Sequence, residues 1–277
     1  MDTGDYYREK ICIVTGANSG IGYALSEELL KRGATVYLLG RDPAKVAAAA
    51  GKLSEHGDRV CTLVADVTDR AQVQAAVEGT AAEAGRLDLL FNNAGIFRPQ
   101  LFETATLEDW QTMIDTNLWS VIYGVHAALP IMLRQGSGHV VNTASVAGLD
   151  PFPMQDIYNT TKYAVVGLSE SLRYEYAEKG IAFSVICPGD IATPIYGKVV
   201  DREGHGTEAP VHAYPADAAA TYSLDRVAEQ RGIIVVPEQP YTTFWRGYVA
   251  GDPGMEAMLM QMAHDRRVAL ETKGTYI

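Results

Sequence analysis

A chain of 277 residues, 47% of them hydrophobic and 21% charged, is long enough for one large α/β domain or two small ones with a sizeable core. Its formal charge of −11 argues against nucleic acid, an anionic membrane surface or an acidic partner as the main ligand. Cys12, Cys61 and Cys187 lie far apart in apolar runs, which reads as buried thiols without metal or disulfide spacing; with no leader pattern and no long apolar run, a reducing cytoplasm is expected.

Along the chain, short apolar runs alternate with longer helical patterns. The strand candidates are 11–14, 35–39, 60–64, 88–91, 139–144, 182–186 and 233–236. Several are continuously apolar, as parallel strands covered on both faces should be. Helical periods are expected over 21–31, 43–53, 72–83, a long stretch 107–133, and 157–178. Asp42 followed by Pro43 is a cap and first-turn signal, and Gly33 and Gly180 stand just past helix ends. The pattern predicts a Rossmann-type, doubly wound parallel sheet of about seven strands in a single domain, 1–277. Residues 194–231 break any long period and are expected to form a loop-and-short-helix insertion over a site, with 240–277 as a C-terminal extension.

Two stretches carry chemistry. The first strand runs into TGANSGIG, where Thr15, Gly16, Gly20 and Gly22 precede a helix. Such glycines let the backbone approach a pyrophosphate while the helix N-terminus offers N–H donors. The spacing departs from GxGxxG, so a turn that serves only helix packing is the alternative. Further on, Tyr158 and Lys162 stand four apart in YNTTK, with Ser145 upstream in NTASVAG. A phenol ionises near pH 10, and an ammonium on the same helix face would favour the tyrosinate. Lowering the phenol to about 7 takes roughly 4 kcal/mol, which a partly desolvated pair can supply. Taken alone, a Tyr and Lys at this spacing also occur on solvated helix faces, Ser145 reads equally as a strand-end hydroxyl, and Asn117 as a core amide.

TGANSGIG, NNAG at 92–95, Asn117, Ser145, YNTTK and the Pro188–Gly189 pair occur together in the order found in short-chain dehydrogenases/reductases, which the chain resembles over about residues 8–193. The resemblance implies a Rossmann-type fold that binds NAD or NADP and packs through two long helices, here 107–133 and 157–178, into a homodimer or homotetramer. It implies that Tyr158 is the general acid/base, that Lys162 lowers its pKa and holds the nicotinamide ribose, and that Ser145 stabilises the substrate oxygen. Asn117 would hold a water-linked proton path. For the cofactor it implies Gly16, Ser19, Gly20, Ile21 and Gly22 at the phosphates, Asp66 and Val67 at the adenine, Asn93 and Gly95 along the cleft, Pro188 and Gly189 beyond it, and Ile191 with Thr193 at the carboxamide. No metal is needed.

Cofactor preference turns on the end of the second strand. Gly40 stands where NAD-preferring relatives carry Asp, and Arg41 follows, a guanidinium suited to a 2′-phosphate; this favours NADP, with NAD the alternative. Ser19 stands where some NADP enzymes have a second basic residue, and Asp42 either caps the next helix or approaches the ribose. The expected pocket is mostly apolar: Ile96, Phe97, Ala147, Leu149, Phe152, Met154, Ile195 and Tyr196. It suits a small hydrophobic ketone, aldehyde or alcohol. A carrier-bound 3-oxoacyl reductase and a non-enzymatic dinucleotide sensor or scaffold are the alternatives. Trp245, Tyr248 and the Met-rich run 255–262 are expected at an interface or in the core, and His205 and His212 facing solvent. Asp190 stands at a position that varies in the family. Asp156, two residues before Tyr158, would raise the phenol pKa if it pointed into the site.

Overall fold

Seven apolar runs pair edge to edge as parallel strands in the computed structural model, which describes residues 5–198 and 206–276. In chain order the elements are β1 (Ile11–Thr15), α1 (Gly20–Lys31), β2 (Thr35–Gly40), α2 (Pro43–Lys52), β3 (Val60–Val64), α3 (Arg70–Ala84), β4 (Leu89–Asn92), α4 (Leu107–Ile114), α5 (Ser120–Gln135), β5 (Gly138–Thr143), α6 (Asp156–Glu175) and β6 (Ile181–Pro188). There follow a two-residue pair, β7 (Ile191–Ala192) and β8 (Tyr214–Pro215), then α7 (Ala216–Ala228), β9 (Ile233–Val236), α8 (Tyr241–Val249) and α9 (Pro253–Lys273). The sheet order is β3-β2-β1-β4-β5-β6-β9. The chain therefore winds outward from β1 in one direction and from β4 in the other, and the crevice at the strand ends between them is where such sheets bind ligands.

Each face of the sheet is covered. One apolar cluster joins Val14, Leu38 and Phe91 to Leu25, Leu29 and Leu224 of α1 and α7. The opposite cluster joins Ile13, Leu90 and Val140 to Val77, Val125 and Val165 of α3, α5 and α6. Double coverage is why β1 and β4 read as unbroken apolar runs. Helix starts follow their caps: the Asp42 carboxylate accepts from the N–H groups of Ala44 (3.0 Å) and Lys45 (3.1 Å), and Asp69 does the same for Ala71 (2.8 Å) and Gln72 (3.2 Å).

Two elements differ from the sequence reading. The single helix expected over 107–133 is α4 and α5 joined through a five-residue π-helical segment, Asp115–Trp119. By length and composition Leu107–Gln135 is apolar enough to cross a bilayer, yet half of its most apolar window is buried, in contact with α3 and the sheet, as in a core helix. Within the stretch read as an insertion, 194–231, residues 216–228 form α7, which packs on α1 as the crossover helix between β6 and β9. The Gly, Pro and His residues that precede it break any long period, which hid a regular helix. In the C-terminal segment, Trp245 packs against the core beside Tyr241, whereas Tyr248 and Met260 are exposed.

Candidate active site

At the end of β1 the chain turns through Gly16 in the left-handed region (φ 67°), where a Cβ would lie 3.0 Å from the Ala94 Cα. A Cβ on Gly22 would sit 2.5 Å from both the Asn93 Nδ2 and the Gly16 carbonyl. No side chain fits there, and the backbone forms a bare cradle at the start of α1. Ser19 occupies the cap position without a capping bond from its side chain. The α1 N–H groups are left for an anion. The Thr15 hydroxyl accepts from the N–H groups of Asn93 and Ala94 (both 2.9 Å), clamping the ends of β1 and β4 together.

This cradle is one end of a cavity of about 890 Å³. Gly16, Ser19, Gly20 and Ile21 line it at α1, and Arg41, Asp66 and Val67 at the ends of β2 and β3. Asn93 and Gly95 follow β4; Pro188, Gly189, Ile191 and Thr193 follow β6. Gly22 and Asn117 stand behind this lining as supports. Asp42 caps α2, pairs with Lys45 (3.7 Å) and also lines the cavity, where Lys45 joins Arg41 as a second cation that the sequence reading missed.

At the other end, α6 and the loop after β5 bring Ser145, Tyr158 and Lys162 together. The Ser145 hydroxyl accepts from the Ala147 N–H (3.1 Å) and donates to the Pro188 carbonyl (3.3 Å), and it lines the same cavity wall as the Tyr158 phenol. Lys162 is buried and donates to the Thr143 carbonyl (3.0 Å), with its Nζ 5.4 Å from the centre of the Tyr158 ring. The i,i+4 spacing thus sets the ammonium against the ring, and no hydrogen bond joins it to the phenol oxygen. Burial pushes the Tyr158 phenol up to about 12, with Ser145 acting in the opposite direction, and pushes the Lys162 ammonium down to about 8.

Asn117 sits in the π-helical segment, where the wider turn aims it inward; π turns of this kind gather at functional sites. Its Nδ2 donates to the Ile96 carbonyl (2.9 Å) and Thr161 Oγ1 (3.3 Å), and its Oδ1 accepts from the Ile96 N–H (2.8 Å). A Cβ on Gly95 would come within 3.3 Å of that Oδ1 and 3.6 Å of Lys162 Nζ, so Asn117, Gly95 and Lys162 form one packed group.

Asp156 does not face the cavity. Burial and Glu103 raise its carboxyl pKa, and the tyrosine it acts on is Tyr276. Of the expected pocket residues, Ile96, Phe97, Ala147, Phe152, Ile195 and Tyr196 line the cavity, but Leu149 is in the core below it and Met154, with a backbone φ of 60°, is not part of the lining. His212 is exposed yet reaches the cavity rim beside Asp190 (3.2 Å), and His205 lies outside the described residues. The Asp190 carboxylate accepts from the hydroxyls of Tyr196 and Tyr241 (both 2.9 Å). The lining is less apolar than expected: Gln155, Arg266 and Tyr276 also face it. Arg266 and Tyr276 come from α9 and the segment after it, so no local spacing could have placed them.

A family model described as short chain dehydrogenase matches residues 10–204. An uncharacterized oxidoreductase of Staphylococcus saprophyticus is 36% identical over 191 residues, covering 69% of this chain and 82% of that protein. Among solved structures, a short chain dehydrogenase/reductase from Burkholderia phymatum in complex with NAD superposes with a TM-score of 0.75 at 28% identity, over 96% of this chain and 95% of the other. A short-chain dehydrogenase from Sphingobium yanoikuyae in complex with NADPH gives 0.77 at 28% identity, over 90% and 95%. With the fold, the glycine cradle and the Ser145–Tyr158–Lys162 group in place, the chain belongs to the short-chain dehydrogenase family of oxidoreductases.

Proposed function

We propose that the chain is an NAD(P)-dependent oxidoreductase that interconverts a carbonyl compound with an apolar body and its alcohol, with Tyr158 as general acid/base. The observation that carries this reading is that Ser145, Tyr158 and the buried Lys162 line one end of a cavity whose other end is a side-chain-free glycine cradle. The cradle fits a pyrophosphate, and the nicotinamide it would position supplies or accepts the hydride. In reduction, Tyr158 Oη gives its proton to the substrate oxygen while the Ser145 hydroxyl stabilises the charge developing there; in oxidation the phenolate takes the alcohol proton. Lys162 holds positive charge beneath the ring, and Asn117 fixes the Ile96 backbone beside it.

NADP is the preferred cofactor in this reading. A Cβ on Gly40 would meet Val46 Cγ2 at 2.8 Å and Asn18 Oδ1 at 2.9 Å, so no acidic side chain fits at that position, while Arg41 offers a cation and Lys45, paired with Asp42, stands beside it. The chain would work as a homodimer or homotetramer in the cytoplasm. The test is turnover: a panel of aryl and alkyl ketones, aldehydes and secondary alcohols, followed by nicotinamide absorbance with NADPH, NADH and their oxidised forms. Reduction or oxidation of panel members supports the reading. Tight cofactor binding with no turnover of any member would instead make the protein a dinucleotide sensor.

A further inference from the structure

We infer that the substrate is an oxo or hydroxy acid whose carboxylate is gripped by Arg266, an inference that rests on the oxidoreductase reading above. Arg266 projects from α9 into the cavity that holds Tyr158. Its guanidinium lies 5.7 Å from the centre of the Phe152 ring and 4.3 Å from that of Tyr276, and Nη1 donates to the Pro153 carbonyl (2.8 Å) and approaches the Tyr276 hydroxyl (3.5 Å). Those contacts leave Nε and Nη2 without a hydrogen bond among the described residues. No carboxylate pairs with Arg266 there either, whereas its neighbour Arg267 pairs with Glu103 and Glu271.

A partly buried cation with no direct ion pair among the described residues, reached among carboxylates only by the more distant charge of Asp190, can take an anion from outside. Asp190 is the lining carboxylate whose charge reaches Arg266, but its oxygens are engaged by Tyr196, Tyr241 and His212 and form no hydrogen bond or ion pair with the guanidinium. The rings hold the guanidinium plane in place, so its unused edge is a preorganised fork for a planar carboxylate. Gln155, whose Nε2 donates to the Tyr276 hydroxyl (2.8 Å), steadies the same corner. Phe97, which meets the Tyr158 ring edge-to-face at 4.9 Å, and Phe152 form the apolar wall for the body between carbonyl and carboxylate. A strap that only fastened α9 down would use Nη1 and the ring faces and would not need the free edge.

The test compares acid and ester pairs on the full chain with saturating cofactor: benzoylpropionate, phenylpyruvate and their ethyl esters. Arg266→Gln should lower kcat/KM for the acids about 10- to 100-fold and leave the esters within about threefold, and Arg266→Lys should restore part of the loss. A second measurement needs no turnover: calorimetric titration of the cofactor-bound Tyr158→Phe variant with phenylbutyrate and phenylbutyramide, repeated with Arg266→Gln added. Binding of the carboxylate that is lost with Arg266 supports the inference even if no ketone is turned over, in which case the oxidoreductase reading fails alone. Equal losses for acids and esters, or equal binding of carboxylate and amide, would overturn it.

Discussion

Burial pushes the Tyr158 phenol up to about 12, too high for a base at neutral pH, and the Lys162 ammonium, pushed down to about 8, lies 5.4 Å from the centre of its ring. Oxidation needs the phenolate and reduction the phenol. The kcat/KM for alcohol oxidation should therefore rise with pH through the neutral and alkaline range, while reduction falls at the alkaline end. Lys162→Met removes the positive charge and should move the oxidation limb upward by about one pH unit or more; paired pH profiles of the two proteins check this. At the far end of the cavity, Arg41→Ala should weaken NADP about 10- to 100-fold and NAD by less than about threefold, read by fluorescence titration. Ser145, Tyr158, Lys162 and the glycine turn were legible in the sequence because each is fixed by spacing within one strand-to-helix unit. Lys45 was not, because its role depends on Asp42 being engaged as a cap, and Arg266 was not, because only the packing of α9 brings it to the cavity.

The π-helical segment between α4 and α5 shows what periodicity misses. Hydrophobic spacing found the length of that helix, yet the extra residue per turn that aims Asn117 inward leaves no trace in the pattern. The exposed faces of the following elements were expected to bury an interface. On α5 and the turn before it, Trp119, His126, Pro130 and Leu133 are exposed at helical spacing, with Trp119 stacked on Tyr123 at 5.7 Å. On α6, Thr160, Tyr163, Gly167, Ser171 and Tyr174 are exposed along one stripe, in which a Cβ on Gly167 would meet nothing within 4 Å. A small-residue gap between two tyrosines suits close packing against a second copy. The proposed oligomer should lose a subunit contact in Gly167→Glu and Leu133→Glu, shifting the mass measured by light scattering to a smaller species while the melting temperature of the subunit falls only modestly. An unchanged mass in both would remove these faces from the interface.

Over the whole molecule, the parallel sense of the sheet, its seven strands and both covered faces were readable from seven apolar runs, whereas the strand order, α7 and the joining of distant segments at the cavity were not. Long-range polar contacts were equally hidden. His139 on β5 is buried between Tyr6 and Ser184, at 2.9 Å from each. Ser184 spends its own proton on the Arg231 carbonyl, so the imidazole donates through Nε2 and accepts at Nδ1 from Tyr6, and the ring is neutral. Burial depresses its pKa from 6.5 to about 3. An unfolded chain then binds more protons than the folded one between those values, so stability from this group is present above 6.5 and is lost as pH falls, by about 2 kcal/mol at pH 5. Asp150, raised by burial to about 6, works in the opposite direction from 3.8 upward, so the wild-type slope is a sum of the two. His139→Gln should flatten the loss by about that 2 kcal/mol relative to wild type in urea unfolding at pH 7 and 5; parallel slopes would remove the histidine from the acid response.

The central claim, that Tyr158 moves the proton in a reaction whose cofactor is held by other residues, is tested most directly by Tyr158→Phe in one experiment that measures turnover and cofactor affinity together. Turnover should fall by about two to four orders of magnitude while the cofactor dissociation constant stays within about threefold. Turnover within about tenfold of wild type at unchanged affinity would contradict it.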